Sequence, residues 1–494
     1  MTHSIESVQP RLLVVGNGMV GQHLLEQLVA SDLHRHYRIT VLCAEPRPAY
    51  DRVHLTSFFS GRSADELSLV PVQFFERHGI ELRLNEGASR IDREARTVLT
   101  TRGAVLGYEQ LVLATGSSPF VPPVPGRERP GCMVYRTLDD VEAIRRAGRD
   151  AEVGVVIGGG LLGLEAAKAL HDIGLQTHVV EFAPRLMAVQ VDDPGGAVLR
   201  RRISQLGVLV HTGMNTTEIG DGEFYRHRLS FADGSHLEAD LVIFSAGIRP
   251  QDALAREAGL AVGERGGVVV DDHCRTSDSA ILAIGECALW QGRIFGLVAP
   301  GYAMARVAAS YLRQLRDATP AMQFQGADMS TKLKLMGVDV ASFGDAHATT
   351  PGACCYRYED ERRQIYKKLV VSEDGQRLLG GVLVGEAREY QTLLQLMLND
   401  LPLPEAPEQL ILPVNSGGPP VLDASPLPDS ATLCQCRSVS KGAICQAIAE
   451  GCADLQAIQH CTGATTGCGQ CTPLVQRLLD VAVDPFDDAR EKVA

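Results

Sequence analysis

The sequence predicts an α/β chain: two strand-turn-helix units of one kind, then a smaller α+β module, then a small helical domain. Three observations carry this. Two glycine-rich turns of the same type, Gly16, Gly18, Gly21 and Gly158, Gly160, Gly163, each follow a short apolar run and precede a helical pattern. Residues 323–400 carry a hairpin pattern and an apolar helix. Four cysteines, Cys434, Cys436, Cys468 and Cys471, stand in two pairs near the C-terminus.

Composition bounds the reading. A chain of 494 residues that is 45% hydrophobic can bury a large core and is expected to hold roughly three domains. With 60 Asp and Glu against 47 Lys and Arg, and no dense basic run, the net charge of -13 argues against nucleic acid or an anionic membrane as partner. No run of eighteen apolar residues is present, and the N-terminus lacks the basic and apolar regions of a signal peptide, so a cytoplasmic location is expected. Nine of the 13 cysteines (Cys43, Cys132, Cys274, Cys287, Cys354, Cys355, Cys445, Cys452 and Cys461) show no ligand spacing and are expected to be small buried hydrophobes.

In the first unit, the β-branched run 11–15 breaks into glycines and then into helical spacing through Leu24, Leu25, Leu28 and Val29. A second predicted strand, 39–44, ends at Glu45. Glycines in such a turn let the backbone approach a pyrophosphate whose charge sits at the helix N-terminus, and an acid further on accepts from the ribose hydroxyls. Here that acid is Glu45. The second unit repeats the pattern: strand 151–157, the turn, a helix through Ala166, Ala169 and Leu170, and a strand closing on Glu181. Either turn alone is a weak signal; the two together predict two nucleotide sites. A carboxylate at Glu181 accepts from free ribose hydroxyls and repels a 2′-phosphate, so NADH is favoured over NADPH if this turn takes a nicotinamide dinucleotide. Arg185, four residues on, leaves NADPH open.

Three further segments follow: strand 108–113 stopping at Ala114, Thr115 and Gly116; strand 240–246 stopping at Gly247; and strand 276–284 ending in Gly285 and Glu286. Together with the glycine turns they resemble the FAD and NAD(P)H domains of the two-dinucleotide flavoprotein reductases. The resemblance implies that the first turn binds FAD, that the second binds the nicotinamide dinucleotide, that Gly285 and Glu286 hold the ribityl chain, and that Ala114, Thr115, Gly116 and Gly247 line the cofactors. The segments AYDRVHLTS (49–57), GLVAPGY (296–302), DMSTKLKLMG (328–337) and YKKLVVSEDG (366–375) are similar to the diaphorase half of bacterial NADH-dependent nitrite reductase large subunits and to the electron-transfer subunit of assimilatory nitrate reductase. That likeness implies Arg52 by the FAD phosphates, Val298 to Gly301 near the flavin ring, and Glu165 toward the junction of nicotinamide and flavin. Two departures stand out. Related reductases carry a lysine where this chain has Ser57, and the redox cysteine of related disulfide reductases is absent from residues 57–61. Cys43, inside the predicted strand, suits packing, so disulfide chemistry is not expected at the flavin.

The expected fold is therefore an α/β two-dinucleotide-binding-domain flavoprotein, with residues 1–125 and 241–318 as the FAD-binding domain and 126–240 as the NAD(P)H-binding domain. Residues 319–405 form an α+β module that in similar reductases covers the flavin and makes dimer contacts. Eight of the 25 prolines fall between Pro402 and Pro428, predicting a semi-extended linker over 406–430. Residues 431–480 form the small domain, and 481–494 a tail. The spacing C-x-C-x31-C-x2-C suits four thiolates on one metal, and structural zinc is one reading. It resembles the [2Fe-2S] domain typified by bacterioferritin-associated ferredoxin, and beside a flavin reductase the cluster is favoured.

NADH, FAD and a [2Fe-2S] cluster in one chain predict that a hydride pair is released as single electrons. Full-length nitrite reductase large subunits continue into siroheme domains, whereas this chain stops about twenty residues after Cys471. Either a partner, a nitrate reductase or nitrite reductase catalytic subunit, supplies the terminal catalyst, or the chain is a piece of a longer reductase; the partner is the preferred expectation, with a homodimer as a further one. Two other readings stay open: a rubredoxin or ferredoxin reductase with a different acceptor, and a cluster domain acting as a docking or sensor module.

Overall fold

In the computed structural model, residues 9–71, 73–335, 337–413, 427–435, 437, 439–466, 469 and 471–483 are described. The chain divides into two compact units, Met1–Phe182 with Met214–Met329, and Ala183–Gly213 with Ser330–Ala494.

In the first unit a parallel sheet runs in the order Ile281–Ala283, Gln110–Leu113, Arg11–Val15, Arg38–Leu42, Glu81–Arg83. A parallel strand is covered on both faces and so reads as an unbroken apolar run. Leu12, Leu13, Val14 and Val15 are accordingly all buried. The second strand ends at Leu42, so Cys43 lies just past it rather than inside, although it is buried as expected. The helices Met19–Ala30 and Val298–Asp317 pack on each other. A second parallel array orders Gln176–Glu181, Val153–Ile157, Leu241–Phe244, Cys132–Val134. The chain passes between the two sheets twice, at Ser117–Pro119 and Ile248–Pro250, and these two passages pair antiparallel. This corrects one expected boundary. Residues 241–244 belong to the second sheet, because Leu241 pairs with Gly154, and the return to the first domain falls at 248–250 rather than at 241.

The second unit holds an antiparallel sheet in the order Thr331–Leu335, Val338–Gly344, Leu378–Gly385, Ile365–Val371, Cys354–Asp360, with helix Tyr390–Leu398 against it. The hairpin and helix were legible in sequence; the other three strands were not. The small domain comprises a short hairpin, Thr432–Cys434 with Val439–Ser440, and helices Lys441–Ala449, Leu455–Thr462 and Thr472–Val483. It does not simply hang from the linker. Leu401 packs against both its core and that of the sheet module, and Gln395 Nε2 donates to Thr432 O at 3.2 Å. Of the Pro-rich linker, Pro407–Leu410 forms one tight helical turn, while residues 414–426 lie outside the described residues. The last helix continues to Val483, past the expected start of the tail at 481; residues 484–494 lie outside the described residues.

Candidate functional site

The two glycine turns have one geometry. Gly16 and Gly158 both adopt positive φ (110° and 119°), where a side chain is strained. A Cβ on Gly16 would run into the Ala114 carbonyl, and one on Gly158 into the Ser245 carbonyl, each just past the end of the neighbouring strand. Gly21 and Gly163 press on the carbonyls of Gly16 and Gly158, which brings each helix against its strand. Gly18 and Gly160 differ: nothing lies within 4 Å of an added Cβ at either. Each is also the N-cap of a 12-residue helix and supplies no side-chain cap, which leaves the first-turn amides of both helices without an acceptor from that residue. A helix end of this kind suits an anion such as a pyrophosphate, and the arrangement occurs twice.

Around the first turn, three backbone features meet at Val20. A Cβ on Gly285 would sit 3.2 Å from the Val20 side chain, and one on Gly301 would strike Val20 and lie 3.5 Å from the Gly285 Cα. The Gly285–Cys287 turn and the start of helix Val298–Asp317 therefore converge on the start of helix Met19–Ala30, which places Val298 at a helix N-terminus. His23 on that first helix stacks on Tyr302, ring centroids 4.2 Å apart.

The predicted polar residues sort as follows. Glu45 accepts from the Tyr50 hydroxyl at 2.8 Å and pairs with Arg52, whose guanidinium lies over the Tyr50 ring. Arg52 is thus anchored rather than a solvated surface group. Glu181 accepts from the Gly159 amide, at the second turn itself. Glu286 accepts from Ser117 Oγ and Arg136 Nη2, both at 2.6 Å. Thr115 Oγ1 donates to the Gln251 carbonyl at 2.7 Å, and Gly116 and Gly247 face open space at positive φ on either side of the paired passages. Arg185 is engaged by Asp193 and by the Val191 carbonyl.

Glu165 lies on the helix after the second turn. Burial pushes its carboxyl up to about 7, and the charge of His54 works against this. His54 Nδ1 sits 2.7 Å from Asp51 Oδ2, and that hydrogen bond raises the imidazole. Thr56 Oγ1 lies 2.9 Å from the Tyr135 hydroxyl, which in turn feels Glu165. Arg136, His54, Asp51 and Tyr135 were not singled out from sequence. His54 lies in the AYDRVHLTS segment, one turn from the Ser57 that replaces the related lysine, and that missing positive charge was the signal.

In the small domain, Cys434 closes the first strand and Cys471 immediately precedes the last helix. Both are buried in one apolar cluster with Ile444 and Ile458. Cys436 and Cys468 lie outside the described residues, and among the described residues no three ligating side chains gather as a metal site. Two buried thiols in a shared core, one at a helix N-terminus, fit thiolate ligation. One expectation for the remaining cysteines is corrected. Cys354 and Cys461 are exposed, and the Sγ atoms of Cys452 and Cys461 are 2.8 Å apart.

Twin nucleotide cradles joined to a thiolate domain define a nicotinamide-dependent flavoprotein oxidoreductase with a [2Fe-2S] domain. The chain belongs to the pyridine nucleotide-disulphide oxidoreductase family, which matches residues 10–311. Residues 330–401 match the rubredoxin NAD+ reductase C-terminal domain, and 432–481 the BFD-like [2Fe-2S] binding domain. Its cofactors are FAD, NAD(P)H and a [2Fe-2S] cluster. The chain is 59% identical to the nitrite reductase [NAD(P)H] large subunit of Klebsiella oxytoca, over 96% of this chain and 49% of that protein. It is 51% identical to the nitrite reductase (NADH) large subunit of Escherichia coli, over 95% and 55%. It is 36% identical to the assimilatory nitrate reductase electron transfer subunit of Bacillus subtilis, over 95% and 59%. The chain thus spans about half the length of the curated relatives it matches. A ferredoxin reductase from Rhodopseudomonas palustris shares the fold with a TM-score of 0.71 and 28% identity, over 81% of this chain and 96% of that one. No helix among the described residues is long and apolar enough to cross a membrane.

Proposed function

We propose that the chain takes electrons from NADH at the second glycine turn, through FAD at the first, to a cluster held by Cys434, Cys436, Cys468 and Cys471, and delivers them to the catalytic part of a nitrite or nitrate reductase. Bound together, flavin and cluster supply the conversion of a hydride pair into single-electron transfers. The residues supply binding and orientation. Gly18 and Gly160 leave room for the pyrophosphates at uncapped helix ends. Glu45 orients the FAD ribose with Arg52 beside the phosphates, and Gly285 and Glu286 hold the ribityl chain with Arg136 fixing the carboxylate. Ala114, Thr115, Gly116, Gly247 and Val298 close the cofactor walls. Glu181 accepts from the free adenine-side ribose hydroxyls of the nicotinamide dinucleotide and repels a 2′-phosphate there, which favours NADH. Glu165 holds a proton near neutrality at the junction of the two cofactors.

The observation that carries the reading is the repeated cradle with a thiolate domain in the same chain. The likeness to nitrite reductase large subunits supports the acceptor. A cytoplasmic setting fits a chain with no disulfide among its described residues. A homodimer through the sheet module belongs to the same reading, on the strength of its resemblance to reductase interface domains. The test is an anaerobic NADH titration followed by optical and EPR spectra, then addition of nitrite and nitrate reductase catalytic subunits in turn. Flavin bleaching without a reduced-cluster signal overturns the relay. The match of residues 330–401 favours a second reading, a rubredoxin or ferredoxin as acceptor. Faster turnover with those proteins than with either reductase decides for it.

A further inference from the structure

We propose that Cys452 and Cys461 are an oxidisable dithiol, a modification site separate from the four ligand thiols, which a hydroperoxide closes into an intramolecular disulfide. Cys452 follows helix Lys441–Ala449, and Cys461 lies in the last turn of helix Leu455–Thr462. Their Sγ atoms are 2.8 Å apart, with Cys452 donating, so a small side-chain movement suffices to bond them.

The pair is asymmetric in a way that assigns the roles. Cys461 is exposed, whereas Cys452 is 7% exposed and belongs to the core that holds Cys434 and Cys471. Oxidant therefore arrives at Cys461. Cys461 is the attacking sulfur because it is the thiol that solvent and oxidant reach, and a thiolate is the form that reacts. The hydrogen bond to Cys461, then burial, and after these the neighbouring charges of Cys461, Glu450 and Asp454 push the Cys452 thiol up to about 11, so it keeps its proton until the second step. Those two carboxylates also disfavour an anionic oxidant such as oxidised glutathione, while uncharged hydrogen peroxide is not repelled.

In the first step Cys461 Sγ attacks one peroxide oxygen; the O–O bond breaks, a sulfenic acid forms, and the other oxygen leaves as water with the thiol proton. In the second, Cys452 Sγ attacks the Cys461 sulfur, the S–S bond forms, and the hydroxyl leaves as a second water with the Cys452 proton. Two thiols lose two electrons and hydrogen peroxide gains them. The product ties the loop after Ala449 to the end of the next helix, beside the core that seats two ligand thiols. This inference does not depend on which acceptor the electrons reach.

The experiment uses full-length, cluster-loaded protein treated with stoichiometric hydrogen peroxide, quenched with an alkylating reagent and mapped by mass. Trypsin leaves both thiols in one fragment, because no Lys or Arg falls between Lys441 and Arg477, so a protease cutting at Asp454 is required. We expect loss of alkylation at both residues, one cross-linked peptide pair lighter by two hydrogens, reversal by dithiothreitol, and retained cluster absorbance. Cys452→Ser should give no cross-link and leave a trappable sulfenic acid on Cys461; Cys461→Ala, at an exposed position, should abolish both. If both thiols stay alkylatable until cluster absorbance is lost, or if the cross-link joins other cysteines, the proposal is overturned.

Discussion

Glu165 governs the pH response expected of the nucleotide-binding half. Its carboxyl is held up at about 7 against an ordinary 4.5, first by burial, with the charge of His54 pulling the other way. Below the unfolded value the group is protonated in both states and has no differential effect. As pH rises from there, the unfolded chain ionises while the folded chain keeps its proton, so the folded state binds more protons and stability falls. Above about 7 both states are ionised and the loss is complete. At about 1.4 kcal/mol for each pH unit separating the two values, the loss is about 3 kcal/mol. Glu165→Gln removes the charge and with it this dependence. The difference in stability between the variant and the parent should be small near the unfolded value and reach about 3 kcal/mol in favour of the variant at mildly alkaline pH. Urea unfolding of the FAD-loaded protein, followed by flavin fluorescence at about pH 5 and about pH 8, reads it directly. A variant that differs from the parent equally at both, or that is the less stable at the higher pH, refutes the reasoning. His54→Ala should shift the transition higher still, because the imidazole lowers the carboxyl and its hydrogen bond to Asp51 keeps it charged to higher pH than an isolated histidine.

Gly160→Ala adds a methyl into open space at an ordinary φ of -81°, so fold and FAD content should stay while the KM for NADH rises about tenfold or more; an unchanged KM refutes the second cradle. Gly16→Ala meets the Ala114 carbonyl at positive φ and should yield flavin-free or insoluble protein, read from the flavin-to-protein absorbance ratio. Lys368→Ala leaves the Asp192 carboxylate without its cation and should cost about 3 kcal/mol in urea unfolding, the lower end for a buried pair because Asp192 is partly exposed. Cys434→Ser should abolish labile sulfide and the reduced-cluster EPR signal but spare NADH-to-ferricyanide turnover, and zinc in the parent protein would refute the cluster.

Much of the nucleotide-binding half was legible because its constraints are local. A glycine with no alternative to positive φ, a third glycine forced against the first one's carbonyl, and an acid at the next strand end all lie within about thirty residues of chain. What was not legible depended on long-range approach. Arg136 reaches Glu286 across 150 positions and leaves no periodic trace. The domain boundary was placed at 241 because the strand at 241–244 ends in a small-residue turn like that of 108–113; only its pairing with Val153–Ile157 reveals its sheet. Cys452 and Cys461 are nine residues apart, a spacing without ligand meaning, and are brought together by the packing of two helices.

The two lysines of the YKKL segment lie in a strand of the hairpin that the sequence predicts, and every residue of Ile365–Val371 is buried. Successive strand side chains point to opposite faces, so Lys367 and Lys368 cannot share a counter-ion. Lys367 Nζ is 2.7 Å from Glu389 Oε1 and 3.6 Å from Glu386. On the other face, Lys368 Nζ and the Tyr366 hydroxyl, two residues apart, both donate to Asp192 Oδ2, at 2.7 and 2.8 Å. Asp192 is also the N-cap of helix Asp193–Gln205, its other oxygen accepting from Gly195 at 3.3 Å. One carboxylate therefore starts a helix and fixes the 183–213 excursion to the sheet of the second unit. Two adjacent charges inside a core strand, costly singly, are retained because each is neutralised by a different segment of chain. The ion pair thereby specifies which segment docks on which face, something an apolar pair of the same size would leave unspecified.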